Sequence, residues 1–208
     1  MSKKSIFYSL FFSLLAVGFY FVITAVIPGF GQARANSVSY VQPFSFTNQD
    51  GKTITQKDVA GKVYVAEYFF TTCNGICPRL TNNMRKVYDR FKDEPGFLIL
   101  SHTCDPEIDS AARLKRYADS IGVSTTRWQF LTGRKDSLYR MARLSYKIDD
   151  PANNLKSIED DFLHTQYIAL VDKSGDVRKI YDGLKPSELR NMMEDIERLL
   201  KEKPVIKN

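Results

Sequence analysis

Apolar positions recur along this chain in three distinct ways, and each predicts a different element. The first is a solid run. From Ser5 to Gly31 no residue is charged. As a helix rising about 1.5 Å per residue it would reach roughly 40 Å, longer than the hydrocarbon core of a bilayer at about 30 Å. Lys3 and Lys4 precede it and favour a cytoplasmic N-terminus. A cleaved leader is the competing reading, since Ala33 and Ala35 flank Arg34 as small residues flank a cleavage site. That run, however, far exceeds the about 7–15 residues of a leader's apolar segment, and the small residues fall late, beyond Pro28 and Gly29. A retained anchor over residues 1–35 is therefore expected. Either reading carries residues 36–208 out of the cytoplasm, and these are read as one domain.

The second pattern is the short buried run, which reads as a strand. "KVYVAEYFF" (62–70), "GFLILSHT" (96–103) and "WQFLTG" (128–133) are of this kind. The third is apolar recurrence at helical spacing. Leu80, Met84, Val87, Tyr88 and Phe91 predict a helix over 79–92. Ala111, Leu114, Tyr117, Ala118 and Ile121 predict one within 105–122 that Gly122 stops, and 135–146 reads as a short helix. Leu189, Met192, Met193, Ile196, Leu199 and Leu200 predict a closing helix. Two hairpins complete the reading, one around Asp50-Gly51 and one turning at Lys173-Ser174-Gly175. Residues 36–45 look like a tether, and 148–161 like a polar inserted loop.

Strands that alternate with helices imply parallel pairing with right-handed crossovers, and a closing hairpin makes the sheet mixed. The expected fold is α/β: a thioredoxin-like mixed central sheet flanked by helices, with an added N-terminal hairpin and an N-terminal transmembrane helix.

Charge alters this picture little. Lys3, Lys4 and Arg34 supply three of the net charge of +6, and the remaining charges are interleaved by sign. No basic stripe with stacking aromatics is present, so a nucleic-acid partner is not expected.

Candidate chemistry centres on "TTCNGICP", where Cys73 and Cys77 lie at the junction of a strand and a helix. Open α/β sheets form sites at that edge, and a helix N-terminus carries unpaired N–H groups and partial positive charge. Both sulfurs are expected to have depressed pKa values, with Gly75 permitting a tight turn that lets them converge. Three residues separate the cysteines, where a thioredoxin-type redox dithiol has two. The pair fits either redox or metal chemistry. His164 precedes the strand opening the C-terminal hairpin, a loop that this plan places beside the cysteines, so it can add a nitrogen. Two thiolates and one imidazole are too few for a structural zinc site and suit copper, as Cu(I) or Cu(II).

With these residues in place the chain resembles the Sco/SenC family, membrane-tethered thioredoxin-like copper proteins of cytochrome c oxidase assembly. The resemblance covers nearly all of residues 38–203. It rests on "FSFTNQDGK", "EYFFTTCNGICP", "DPEID", "WQFLTG", "FLHTQYIALVDKSGDV" and the single N-terminal anchor. It implies that Cys73, Cys77 and His164 are copper ligands and that Asp105 is an acidic residue near the site. It also implies that the client is oxidase subunit II or another copper or thiol protein. The function implied is delivery of copper to the copper A site of that subunit, or reduction of its cysteines, from an inner-membrane anchor with the domain on the exported side. A thiol–disulfide oxidoreductase using Cys73 and Cys77 is the alternative. His102 and Cys104 depart from the family, which usually has aliphatic residues there. They are read as buried core groups, or else as an alternate ligand and a resolving thiol.

Overall fold

In the computed structural model, residues 3–26, 37–149, 163 and 165–204 are described. They fall into two bodies. One is helix α1 (Lys3–Val26), whose segment Lys4–Ile23 is long and apolar enough to cross a membrane, with a mean hydropathy of 2.2 and none of it buried. The other is the domain from residue 37 to Pro204.

All seven residues of strand β4 (Val63–Phe69) are buried, as are the seven of β5 (Phe97–Thr103), because both lie in the middle of the sheet with helices on each face. β6 (Trp128–Thr132) pairs parallel to β5, and β5 parallel to β4, in register Val63↔Phe97 through Phe69↔Thr103. β7 (Tyr167–Val171) runs antiparallel on the other side of β4 and is followed by β8 (Asp176–Asp182). The expected N-terminal hairpin is β2 (Ser45–Asn48) with β3 (Thr53–Thr55), turning at Gly51, whose φ of 75° suits a residue without a Cβ. It extends the sheet beyond β6. The reading of 36–45 as a tether needs correction, because β1 (Ser39–Tyr40) pairs with β8. The sheet thus has eight strands in the order β1-β8-β7-β4-β5-β6-β2-β3.

Side chains alternate across β4, so its two faces meet different partners. Val63, Val65 and Phe69 pack with Leu80, Met84 and Val87 of α3 (Cys77–Phe91), Leu114 and Ala118 of α4 (Ala111–Ser120), and Leu189, Met192 and Ile196 of α6 (Pro186–Lys201). Tyr64, Ala66 and Tyr68 face the opposite core, with Phe44, Phe46, Leu138, Tyr139 and Tyr146. That second core is closed by the short α2 (Gln56–Val59), α5 (Lys135–Arg140) and a π-helical turn, Met141–Tyr146, that ends in left-handed Lys147.

Two boundaries differ from the sequence reading. α4 starts at Ala111, capped by the Ser110 hydroxyl, so residues 105–109 form a loop rather than a first helical turn. The helix expected over 135–146 changes from α to π winding at Met141. Most of the polar run 148–161 lies outside the described residues.

Candidate metal centre

The chain leaves the carboxyl end of β4 at Phe69 and enters α3 at Cys77. Between them a turn forms as the Cys73 N–H donates to Phe70 O at 3.2 Å. The N-cap residue of α3 is Ile76, which offers no side-chain acceptor, and Pro78 in the first turn has no N–H. The free N–H groups of Gly75, Ile76 and Cys77 turn to the Cys73 sulfur instead, and the Cys77 thiol also donates to it. Cys73 does the work of a helix cap. Gly75 is not held at positive φ, and a Cβ there would sit 3.9 Å from the Cys73 sulfur, an ordinary contact. The expected turn forms and the sulfurs converge, without drawing on the left-handed backbone that glycine alone adopts freely.

The two sulfurs differ sharply. Partial burial works to raise the Cys73 thiol, but the converging thiol and N–H donors outweigh it, and its pKa falls below the ordinary 9.0. Cys77 is buried at the first turn of α3, and burial, together with its donation to Cys73 and the nearby charges of Cys73 and Glu67, pushes it up to about 12. The expectation that both would be depressed is thus corrected for Cys77. The helix terminus is present, but its N–H groups serve Cys73 while Cys77 lies in the dry face of the sheet.

A buried carboxylate holds the loop from behind. Asp109, fully shielded from solvent, accepts from Thr71 N–H at 3.1 Å, from the Thr71 hydroxyl, and from the Thr103 hydroxyl at 2.7 Å. Arg113 Nε donates to the Thr71 hydroxyl at 2.6 Å and stands 3.6 Å from Asp109 Oδ1. One side chain of the β5–α4 loop thereby ties the start of the cysteine loop to the end of β5. Beneath the loop lies Glu67, 2% exposed on the face of β4 that carries α3. Its Oε1 accepts from the Ser101 hydroxyl at 2.6 Å, and that hydroxyl accepts from Trp128 Nε1 at 2.8 Å. Sequence reasoning singled out neither Asp109 nor Glu67. A glutamate inside an otherwise apolar seven-residue strand was the available signal for the second.

The remaining candidates separate. Asp105 is half-buried in the β5–α4 loop; its N–H donates to the Thr103 hydroxyl at 2.9 Å and its carbonyl accepts from Asp109 N–H. Cys104 is 2% exposed in the second core, close enough to Cys77 and Cys73 for their charges to act on it, though burial is the main cause that raises its thiol. His102 points into that same second core, stacked on Tyr68 at 5.0 Å between ring centres. Burial pushes its imidazole down to about 3, so it is neutral. The sheet stands between His102 and the Cys77 sulfur. His164 lies outside the described residues; its neighbours Leu163 and Thr165 are buried, with Leu163 N–H donating to the Tyr139 hydroxyl and the Thr165 hydroxyl donating to Ile148 O. Among the described residues no three His, Cys, Asp or Glu side chains form a metal cage. What the loop itself offers is two converging sulfurs, a soft donor pair that fits copper.

The family model for SCO1/SenC matches residues 32–201. The chain belongs to the SCO1/SenC family. The SCO1 protein homolog of Bacillus subtilis (strain 168) is 33% identical over 172 residues, which span 80% of this chain and 86% of that protein. The solved structure of BsSco, described as a member of the Sco family of cytochrome c oxidase assembly proteins with a disulfide switch, is similar at a TM-score of 0.68 and 30% identity, over 81% of this chain and 98% of that one. Arabidopsis thaliana ScoI, solved with copper bound, shares the fold at a TM-score of 0.61 and 22% identity, over 78% of this chain and 99% of that one. The SCO1/SenC fold is thus the thioredoxin-like mixed sheet expected from the strand and helix pattern, and the cysteine loop sits at its carboxyl edge.

Proposed function

We propose that this SCO1/SenC protein handles copper for cytochrome c oxidase assembly, holding it through Cys73, Cys77 and His164 and passing it to the copper A site of subunit II. The observation that carries the reading is the meeting of the Cys73 and Cys77 sulfurs in one loop, with the more accessible one already inclined to be a thiolate. Copper enters as cargo. Cys73, half-buried, is the side on which a donor or client thiol exchanges. Cys77, buried, surrenders its proton as it binds. The apolar segment Lys4–Ile23 anchors the chain in the inner membrane, with the domain on the exported side.

Copper content of the full chain purified in detergent tests this reading. Wild type is expected to carry about one copper per chain when its thiols are reduced, and Cys73→Ala and His164→Ala to lose it. Full occupancy in either variant refutes the ligand set. A second reading, thiol–disulfide exchange by the same pair, is favoured by the opposed tuning of the two thiols. It predicts that His164→Ala keeps disulfide-reducing activity while losing copper.

A further inference from the structure

Tyr139 of α5 is 1% exposed, and its hydroxyl is committed to two backbone groups from two separate loops. It donates to Cys104 O at 2.8 Å and accepts from Leu163 N–H at 3.2 Å. Cys104 directly follows β5, and its own N–H donates to Phe69 O at 2.8 Å, where the chain leaves β4 for the cysteine loop. Leu163 stands immediately before His164. Immediately after His164, the Thr165 hydroxyl donates to Ile148 O at 2.8 Å and accepts from Tyr167 N–H, at the start of β7, at 3.1 Å. Both neighbours of His164 are therefore tied, and the tie before it runs through one phenol. The Arg143 guanidinium, 5.5 Å from the centre of that ring, and the Lys135 ammonium, 5.6 Å from it, help to hold it in place.

The order of the strands explains why a side chain makes this join. β4 lies between β7 and β5, so the segment entering β7 cannot ladder with the end of β5. β7 runs antiparallel to β4 and β5 parallel to it, which brings the start of β7 and the end of β5 to the same edge of the sheet. The Tyr139 hydroxyl links them there. A phenylalanine would fill the same space in the second core, as Phe44 and Phe46 do, but would take this partner from a buried N–H and a buried C=O. The Cys104 thiol takes no part, since the join uses its carbonyl.

We propose that Tyr139 is a positioning residue of the copper site, its hydroxyl setting His164 against the Cys73–Cys77 loop. The role rests on the reading of His164 as a copper ligand, and Tyr139 itself touches no metal. A ligand carried on a loop binds more tightly when it is held in place before the metal arrives, because ordering the loop then costs nothing at the moment of binding. Leu163 to Tyr139, Tyr139 to Cys104 and Cys104 to Phe69 are three successive hydrogen bonds between the two loops. The next in line is the Cys73 N–H on Phe70 O, inside the sulfur loop.

The Cu(I) affinity of the reduced full chain in detergent, measured by competition with a chelator, tests the join. Tyr139→Phe is expected to bind roughly 10–100-fold more weakly than wild type. Added to His164→Ala, the same substitution is expected to leave the residual affinity unchanged, because the residue it positions is gone. Wild-type affinity in Tyr139→Phe overturns the proposal, and a loss in His164→Ala would then leave the ligand set standing. An equal fall in both backgrounds overturns it too, since the hydroxyl would then serve the fold and not His164. Should His164→Ala bind as tightly as wild type, the ligand reading falls and the positioning role falls with it. Should Tyr139→Phe not fold, hydrogen exchange in wild type decides. The Leu163 amide is expected to be protected before copper is added, and exchange there at the open-chain rate overturns the proposal.

Discussion

Cys73 and Cys77 share a hydrogen bond, yet the fold drives their thiols in opposite directions, the first below its ordinary pKa and the second up to about 12. The donor in that bond is the Cys77 thiol, so each sulfur's state depends on the other. Iodoacetamide near neutral pH is expected to label Cys73 first and Cys77 only after denaturation, read by peptide mass spectrometry. Cys77→Ala removes a donor from the Cys73 thiolate and should slow Cys73 labelling several-fold. Equal labelling of the two in the folded chain would contradict the assigned asymmetry.

Asp109 joins two loops through three hydrogen bonds from Thr71 and Thr103. Asp109→Ala leaves those donors unpaired and frees the start of the cysteine loop, while Arg113 is exposed enough to find water. A loss of about 2–4 kcal/mol is expected in chemical denaturation, with faster hydrogen exchange at the Thr71 amide. Unchanged exchange there would show that the clamp does not hold the loop.

Burial raises the Glu67 carboxyl from its ordinary 4.5 to about 7. An acid whose folded pKa is raised binds its proton more tightly folded than unfolded. Stability is therefore greatest below the unfolded value, falls as pH climbs from about 4.5 to 7, and is lower by roughly 3 kcal/mol above that window. Glu67→Gln should flatten this part of the curve. Denaturation midpoints of the two proteins at a series of pH values make the comparison, and parallel curves would count against the raised carboxyl.

Cys104 and His102 belong to the second core and not to the sulfur loop. Cys104→Ala should lower stability by about 1–2 kcal/mol, and His102→Ala by more, since it removes a stacked, fully buried ring. Neither is expected to change the copper content of reduced protein. A drop in copper without loss of folded protein would return them to the list of ligands.

The strands and helices were legible because their signals are periodic and their packing obeys the period. Val63 to Phe69 reads as a buried strand and is one, and the face of Leu80, Met84 and Val87 is the face that packs. The direction of the Cys77 shift was not legible, because a helix N-terminus can be inferred from sequence while the depth of its first side chain depends on what lies across the sheet. Asp109 shows the same limit. "DPEIDS" looks like the opening turn of a helix, but its last carboxylate is drawn away by Thr71, which is distant in sequence. The π winding at Met141 depends on which carbonyl each N–H selects, and side-chain pattern does not encode that. β1 is two residues long, too short for alternation to register.

That brevity has a consequence for the two rims of the sheet. The sheet ends on one side with the two residues of β1 and on the other with the three of β3. Each outer strand is too short to template a long strand from another polypeptide. β1 covers β8 only at Asp176 and Val177, so the stretch of β8 from Arg178 to Asp182 carries the longer run of edge backbone on that side. Edge-to-edge pairing of the domain is thereby confined to that one short stretch of β8 and to the three residues of β3.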